Sequence, residues 1–146
     1  MLRISLLCIT FLVALNGCAT YRNNDLERMQ TLPQNYSQFD VRIAWEVKAV
    51  DNSTIIDGII KNIRYYEMDE LEIWVWSLDD HGKEIYRSSA FVYKLKENET
   101  APFTVKLPIA APGTKLQFLY RYIGNDGGSE ANGAVRWSQS FESVVP

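Results

Sequence analysis

The sequence predicts an all-β sandwich, and three observations carry this prediction. From residue 39 onward, short runs of apolar residues alternate with polar residues at a period of two, which is the pattern of strands that bury one face. Segments rich in Asp, Asn, Gly and Pro separate these runs, as is typical of turns. No amphipathic helical spacing interrupts the pattern between residues 39 and 146.

The first three expected strands cover residues 41–49, 55–63 and 71–78. In the first strand, apolar and polar residues alternate except at Ala44, whose side chain is small enough for either face. The second strand is apolar on both faces in places and carries Gly58 at its middle. The third strand is apolar on both faces, so its pattern does not mark a solvent side.

The last four expected strands cover residues 85–95, 103–107, 116–122 and 135–141. The first of these four is partly polar, whereas the other three alternate regularly. The alternation predicts that Phe118, Val105 and, in the first strand of the domain, Trp45 point into the core. Seven short strands with frequent turns favour an immunoglobulin-like β-sandwich. A small barrel would have a similar number of strands and stays open as an alternative.

The first residues of the chain have the features of a targeting signal. Arg3 supplies a positive start, and residues 4–15 form an uncharged apolar run that is shorter than the roughly 20 residues needed to span a bilayer. These features predict a signal peptide over residues 1–17. Residues 15–18, Leu-Asn-Gly-Cys, resemble the bacterial lipobox, in which the cysteine receives the lipid. The alternative is an ordinary secretory signal with a chance cysteine, but no A-x-A site precedes Cys18.

On this interpretation Cys18 carries a diacylglycerol and an acylated amino group, and Cys8 leaves with the signal peptide. The mature chain then has no disulfide, so its core alone must hold the fold. Several acyl chains anchor a protein stably, whereas a single chain binds marginally. Residue 19 is Ala and not Asp. By analogy this favours an outer-membrane location facing the periplasm if the source is Gram-negative, and a plasma-membrane anchor if it is Gram-positive.

Residues 18–38 are polar and are expected to form the lipidated cysteine and a tether to a domain that spans 39–146. Asn24 and Glu27 have the three-residue spacing of a capping box, which predicts a short helix within the tether. A disordered linker is the alternative. Fully extended, such a tether would reach on the order of 60 Å and would lift the domain off the membrane.

Several segments of the domain resemble the FxLYD family. Residues 76–80, Trp-Ser-Leu-Asp-Asp, followed by 82–85, Gly-Lys-Glu-Ile, resemble the strand end and hairpin that characterise this family. Upstream, residues 58–62, Gly-Ile-Ile-Lys-Asn, resemble its G-x-V-x-N strand. Downstream, residues 103–105 resemble its later apolar strand.

The resemblance covers roughly residues 54–107 and departs from the family pattern at two positions. Trp76 stands where the family has Phe, and Asp79 stands where it has Tyr. The resemblance implies an immunoglobulin-like module of bacterial envelope proteins and lipoproteins, without known catalytic residues. The strand pattern leads to the same fold independently.

The titratable residues with the most suggestive spacing lie in predicted turns. His81, the single histidine, is expected in a hairpin turn beside Asp79 and Asp80, whereas a catalytic or zinc-binding histidine would need positioned partners. Asp79, Asp80 and Glu84 could offer oxygens to Ca²⁺, but Asp with Gly is also the usual composition of a turn. Asp126, in the last long loop, is interpreted in the same way. We therefore expect no catalytic residue, metal or cofactor.

The tryptophans are the strongest functional candidates. Trp74 and Trp76 share one face of the third strand, whose opposite face is also apolar. Simple burial of both faces within the chain is one possibility. Otherwise a loop, the tether or a partner covers the Trp face, or the face is an exposed platform for a protein or a sugar. Exposed aromatic patches usually mark binding.

The sequence thus predicts a lipid-anchored envelope protein whose sandwich is a non-catalytic protein-interaction or assembly module. Carbohydrate or cell-wall binding through surface aromatics is the alternative, and an enzyme ranks third. Removal of residues 1–17 deletes Arg3 and no acidic residue, so the net charge falls from −3 to −4. A mildly acidic domain is a poor candidate for nucleic-acid binding, which needs a basic patch.

Overall fold

The protein folds into a short helix and eight strands, described by a computed structural model over residues 24–125 and 134–146. The helix, α1, covers residues 24–31. Seven strands lie where the alternation predicts them, and one further strand precedes them. The strands are β1 Gln34–Ser37, β2 Val41–Val50, β3 Ser53–Asn62, β4 Glu67–Leu78, β5 Glu84–Leu95, β6 Thr100–Pro108, β7 Lys115–Asn125 and β8 Ala134–Val144.

The strands form two antiparallel sheets of four strands each. Sheet 1 has the order β1-β2-β3-β6, and sheet 2 has the order β5-β4-β7-β8. Their inner faces enclose one shared apolar core, which makes the molecule a β-sandwich and confirms the predicted fold class. The additional strand arises because the polar segment Gln34–Ser37 pairs with the first half of β2.

The core contains the residues that the alternation assigned to inner faces. Phe118, Val105 and Trp45 are 0%, 0% and 3% exposed, so the predicted strand register is confirmed at these positions. The rings of Trp45 and Phe118 lie 4.9 Å apart and link sheet 1 to sheet 2. Phe141 of β8 stacks on Phe118 at 4.8 Å, which extends the aromatic packing to the edge of sheet 2.

Gly58 is required where the central strands of sheet 1 crowd one another. A Cβ atom at this position would lie 2.5 Å from Cζ of Phe103 and 2.6 Å from the backbone oxygen of Ala44. Carbon atoms in favourable contact lie about 3.5–4.0 Å apart, so no larger residue fits without movement of the ring or the strand. The glycine therefore lets the Phe103 ring lie across the inner face of β3.

Helix α1 packs on the outer face of sheet 1. Arg28 of the helix places Nη2 2.7 Å from Asp57 Oδ2 in β3 and 3.8 Å from Glu46 Oε1 in β2. Next to Glu46 and Asp57 on the same face, the cross-strand pair Ala44 and Ile59 points outward yet is 2% and 0% exposed. The helix therefore acts as a cover for sheet 1, and residues 24–37 of the expected tether contribute a helix and a strand to the packed structure.

One end of the sandwich, here called the basal end, is organised by a buried asparagine. Asn62 is 0% exposed, and its Nδ2 donates to the backbone oxygens of Tyr66 and Leu95 at 2.8 and 3.1 Å. Its Oδ1 accepts from the backbone amide of Arg64 at 2.8 Å. One amide side chain thus satisfies three backbone groups and ties two connections together. The basal end comprises the connections 38–40, 63–66 and 96–99.

Candidate binding face

The two tryptophans singled out from the sequence lie on the outer face of sheet 2, half-buried. In β4 they alternate with the core residues Ile73 and Val75, which are 1% and 0% exposed. Across the sheet, Trp74 lies opposite Leu119 of β7, and Trp76 lies opposite Arg87 of β5. The strand therefore buries one apolar face in the core and turns its second apolar face outward.

Trp74 is held in one orientation by a chain of hydrogen bonds. Its Nε1 donates to Glu72 Oε2 at 2.6 Å, and the Nε and Nη2 atoms of Arg121 approach the same oxygen at 3.0 and 2.8 Å. A carboxylate that accepts from both an indole and a guanidinium fixes both partners. The Trp74 ring is therefore fixed in one orientation by the fold itself.

The rings of Trp74 and Trp76 have close neighbours on the same surface. Trp74 and Trp76 lie nearly parallel, with centroids 6.3 Å apart and planes at 24°. The guanidinium carbon of Arg87 lies 5.9 Å from the centroid of Trp74, within the range of a cation–π contact. Each of these neighbours lies beside part of the ring surface of Trp74.

Two further aromatic residues extend this surface and were not singled out from the sequence. Phe91 of β5 lies directly opposite Glu72 in register, so it points to the same side as Trp74. Phe91 and Tyr93 are 60% and 75% exposed. The sequence did carry a signal for these two rings. The large residues Phe91 and Tyr93 alternate with the small residues Ser88 and Ala90, which cannot fill a core by themselves.

Trp74, Trp76, Phe91 and Tyr93 are called the aromatic face below. No helix or strand within residues 24–125 and 134–146 lies across it, because α1 packs on the opposite sheet. A groove of about 350 Å³ adjoins the face and is lined in part by Glu72, Arg121, Arg136 and Ser138. Rigid aromatic residues bordered by charged and hydroxyl groups are typical of protein interfaces.

The turn residues considered as chemical candidates occupy an exposed hairpin. The backbone amides of His81 and Lys83 donate to Asp79 Oδ1 at 2.9 and 2.8 Å, so this carboxylate closes the turn. Gly82 follows with a φ of 77°, in the left-handed region that favours glycine. In the part of the chain that the structure describes, no three His, Cys, Asp or Glu side chains are grouped to hold a metal. Asp126 lies outside the described residues.

The predicted lipid anchor also lies outside the described residues. This applies to Cys18 and to the signal peptide 1–17. Within residues 24–125 and 134–146 the structure has one helix, α1, and this helix is not long and apolar enough to cross a membrane.

A buried carboxylate near the basal end ties both sheets together. Asp40 is 0% exposed and accepts hydrogen bonds from the hydroxyls of Tyr120 and Tyr122 at 2.8 and 2.9 Å. Burial, followed by the hydrogen bond to Asp40, raises the pKa of Tyr120 above its ordinary value. Burial, followed by the hydrogen bond with Tyr66 at 3.0 Å, raises the pKa of Tyr122. Both tyrosines therefore stay protonated and donate to Asp40.

Over the residues that the structure describes, the fold and the aromatic face together define a β-sandwich module with one covered and one bare outer face. No protein-family model matches this sequence, and no curated protein matches it either. Among solved structures, the chain is similar to the GAE domain of GGA2p from Saccharomyces cerevisiae, with a TM-score of 0.52, 12% identity, and coverage of 77% of this chain and 96% of that chain. It is also similar to the C-terminal domain of Wzt, with a TM-score of 0.47, 12% identity, and coverage of 78% and 79%. The first likeness supports the β-sandwich fold and says nothing of function, and the FxLYD resemblance stays a prediction.

Proposed function

We propose that this protein is an envelope lipoprotein, anchored through Cys18, whose β-sandwich binds another protein through the aromatic face and performs no catalysis. The observation that carries the proposal is the bare outer face of sheet 2. Phe91 and Tyr93 are more than half exposed there, beside a tryptophan that Glu72 holds in place. Tyrosine, tryptophan and arginine are enriched among the residues that dominate binding energy.

A protein partner accounts for this surface better than a sugar does. A sugar platform needs ring faces that are free for stacking, whereas Trp74 has Trp76 on one side and Arg87 within 5.9 Å. Part of the ring surface of Trp74 is therefore engaged within the protein, and Glu72, Arg87 and Arg121 place charges beside the rings. Flat apolar areas with charged borders suit another protein surface.

The test first identifies the partner by crosslinking and then replaces side chains of the aromatic face by alanine. A photo-crosslinking residue in place of Ser89, which lies exposed opposite Trp74, should trap a partner in the envelope. Trp74→Ala and Phe91→Ala should each weaken binding of the purified partner by about 2 kcal/mol or more, since anchors near an interface centre dominate its energy. That loss is roughly a 30-fold rise in Kd.

A matched control uses an aromatic residue outside the face. Tyr86 is 48% exposed near the start of β5, so Tyr86→Ala should leave Kd unchanged. The melting temperature of each variant separates lost binding from lost folding. Unchanged binding in both face variants would contradict the proposed interface, and crosslinking to a glycan and not to a protein would favour the carbohydrate alternative.

The anchor has a separate test. Cys18→Ser should abolish lipidation and leave the precursor uncleaved by the lipoprotein peptidase, because the thiol is the acyl acceptor. Intact-mass analysis of membrane fractions from cells with the wild-type chain should detect the acyl chains. A wild-type protein without acyl mass, found free in the periplasm or the medium, would refute the anchor.

A further inference from the structure

The attachment of α1 determines how far the lipid anchor can lie from the folded part. Asp25 of the helix lies next to Thr100, the first residue of β6, with 3.4 Å between Thr100 Oγ1 and Asp25 Oδ2. Asn24 therefore lies near the basal end, where β6 begins. The backbone from Cys18 to Asn24 covers six residue steps and extends at most about 22 Å.

This length limits the orientation of the domain on a membrane. Ile109 follows β6 at the opposite end of the sandwich, nine residue steps from Thr100, which is roughly 30 Å along a strand. If the opposite end rested on the bilayer, Asn24 would lie farther from the lipid than the connecting backbone can reach. The basal end is therefore the end that can approach the membrane.

The basal end has a surface suited to the interface between lipid headgroups and acyl chains. Phe39 and Tyr65 are 46% and 68% exposed there. The guanidinium carbon of Arg64 lies 5.2 Å from the ring centroid of Phe39, 5.1 Å from that of Tyr65 and 5.2 Å from that of Tyr66. Tyrosine rings gather at membrane interfaces, and phenylalanine is among the residues that interfacial proteins bury at the boundary of headgroups and acyl chains. Arginine can lie along apolar surface with its charge among the headgroups.

We infer that the basal end rests on the phospholipid surface, with Phe39 and Tyr65 in the headgroup layer, an inference that rests on the proposed Cys18 anchor. Exposed apolar residues alone would not select this end, because Val50 and Ile109 are 47% and 52% exposed at the other end. The short connection to Cys18 selects it. The strands then stand away from the membrane, and the aromatic face turns sideways, open to a partner beside the protein.

The test uses the full, lipidated chain in vesicles of phosphatidylethanolamine and phosphatidylglycerol. On the proposed anchor, the mature chain has no free thiol, since Cys8 is removed and Cys18 is acylated. Single cysteines with a fluorescent label at Glu97→Cys, His81→Cys and Ser89→Cys then report on the basal end, the opposite end and the aromatic face. Iodide in the buffer should quench the Glu97 label several-fold less than the other two. A lipid-borne quencher should show the reverse order.

Two matched double variants test the role of the aromatic residues. Phe39→Ser with Tyr65→Ser should raise iodide quenching of the Glu97 label toward the value at His81. Val50→Ser with Ile109→Ser, at the opposite end, should leave the quenching unchanged. Melting temperatures of both double variants verify that the labels report on a folded domain.

The outcomes separate this inference from the anchor on which it rests. Acylated protein with equal quenching at Glu97 and His81 would overturn the inference and leave the anchor intact. Protection of the Ser89 label would also overturn it, because the aromatic face would then lie on the lipid. A Phe39 and Tyr65 double variant that leaves quenching at Glu97 unaltered would overturn the role of these two residues. A wild-type chain without acyl mass would refute the anchor itself.

Discussion

The outer faces of the two sheets differ in what lies over them. On sheet 1, Ile59 points outward but is 0% exposed, because α1 lies across β2 and β3 and is joined to them through Arg28. On sheet 2, Phe91 points outward and is 60% exposed. Both faces carry large apolar side chains, yet the chain covers only one of them within the residues described by the structure.

This difference shows that the same local pattern can lead either to burial or to an exposed apolar surface. An apolar residue on an outer face stabilises the fold when another element of the chain covers it, as for Ile59. An uncovered apolar residue remains available to a partner, as for Phe91. One truncation on each outer face tests this difference directly. A fully buried core residue gives the larger reference effect, and the buried tyrosines give the smaller one.

A residue on the inner face of sheet 2 shows how much stability a fully buried side chain contributes. Phe118 is 0% exposed and packs against both Trp45 and Phe141. Phe118→Ala should lower the free energy of unfolding by about 3–5 kcal/mol, a large part of the roughly 5–15 kcal/mol that a domain has. Urea unfolding measures it. A loss near zero would mean that the strand register differs from the one described.

The covered and bare outer faces can be compared directly with one truncation on each. Ile59→Ala, under α1, should cost about 2–5 kcal/mol, as for a core residue. Leu119→Ala, half-buried beside Trp74 on sheet 2, should cost less than about 2 kcal/mol, since part of its side chain is already in water. Urea unfolding of both variants tests the contrast. Equal losses would mean that the aromatic face is covered as well.

Alkaline pH tests the buried hydrogen bonds from Tyr120 and Tyr122 to Asp40, which join the two sheets. Because the pKa values of Tyr120 and Tyr122 are raised in the folded state, the unfolded chain loses these protons first as pH rises. The two tyrosines therefore contribute fully to stability below about pH 10. Above that pH, the free energy of unfolding should fall by about 1.4 kcal/mol per pH unit for each tyrosine.

The measurement is urea unfolding between about pH 8 and pH 11, around the ordinary tyrosine pKa near 10. Tyr120→Phe should lower the free energy of unfolding near pH 8, because the hydrogen bond to Asp40 is lost. It should also make the alkaline fall shallower, so that the difference from the wild-type chain narrows toward pH 11. An alkaline slope identical to that of the wild-type chain would contradict a buried, protonated Tyr120.

Much of the sandwich could be predicted from the sequence, because alternation marks which residues a strand buries. Trp45, Val105 and Phe118 were assigned to the core on that ground, and all three are buried. Strand β1 was missed, because residues 34–37 are polar and short, and their pairing depends on β2. Phe91 and Tyr93 were missed, because the polar residues of β5 obscured its alternation.

The sequence by itself determined the all-β class and the two apolar faces of β4, since period-two alternation and turn residues act within a few neighbouring positions. The choice between a sandwich and a small barrel stayed open until the two sheets were seen to enclose one core. It also carries the lipobox-like segment at Cys18, on which the proposed anchor depends. Only the tertiary structure decided which outer face is covered. Which face is covered depends on contacts such as that of Arg28 with Asp57, 29 positions apart. A local sequence pattern cannot show which distant segments come into contact, because these segments meet only after the chain has folded.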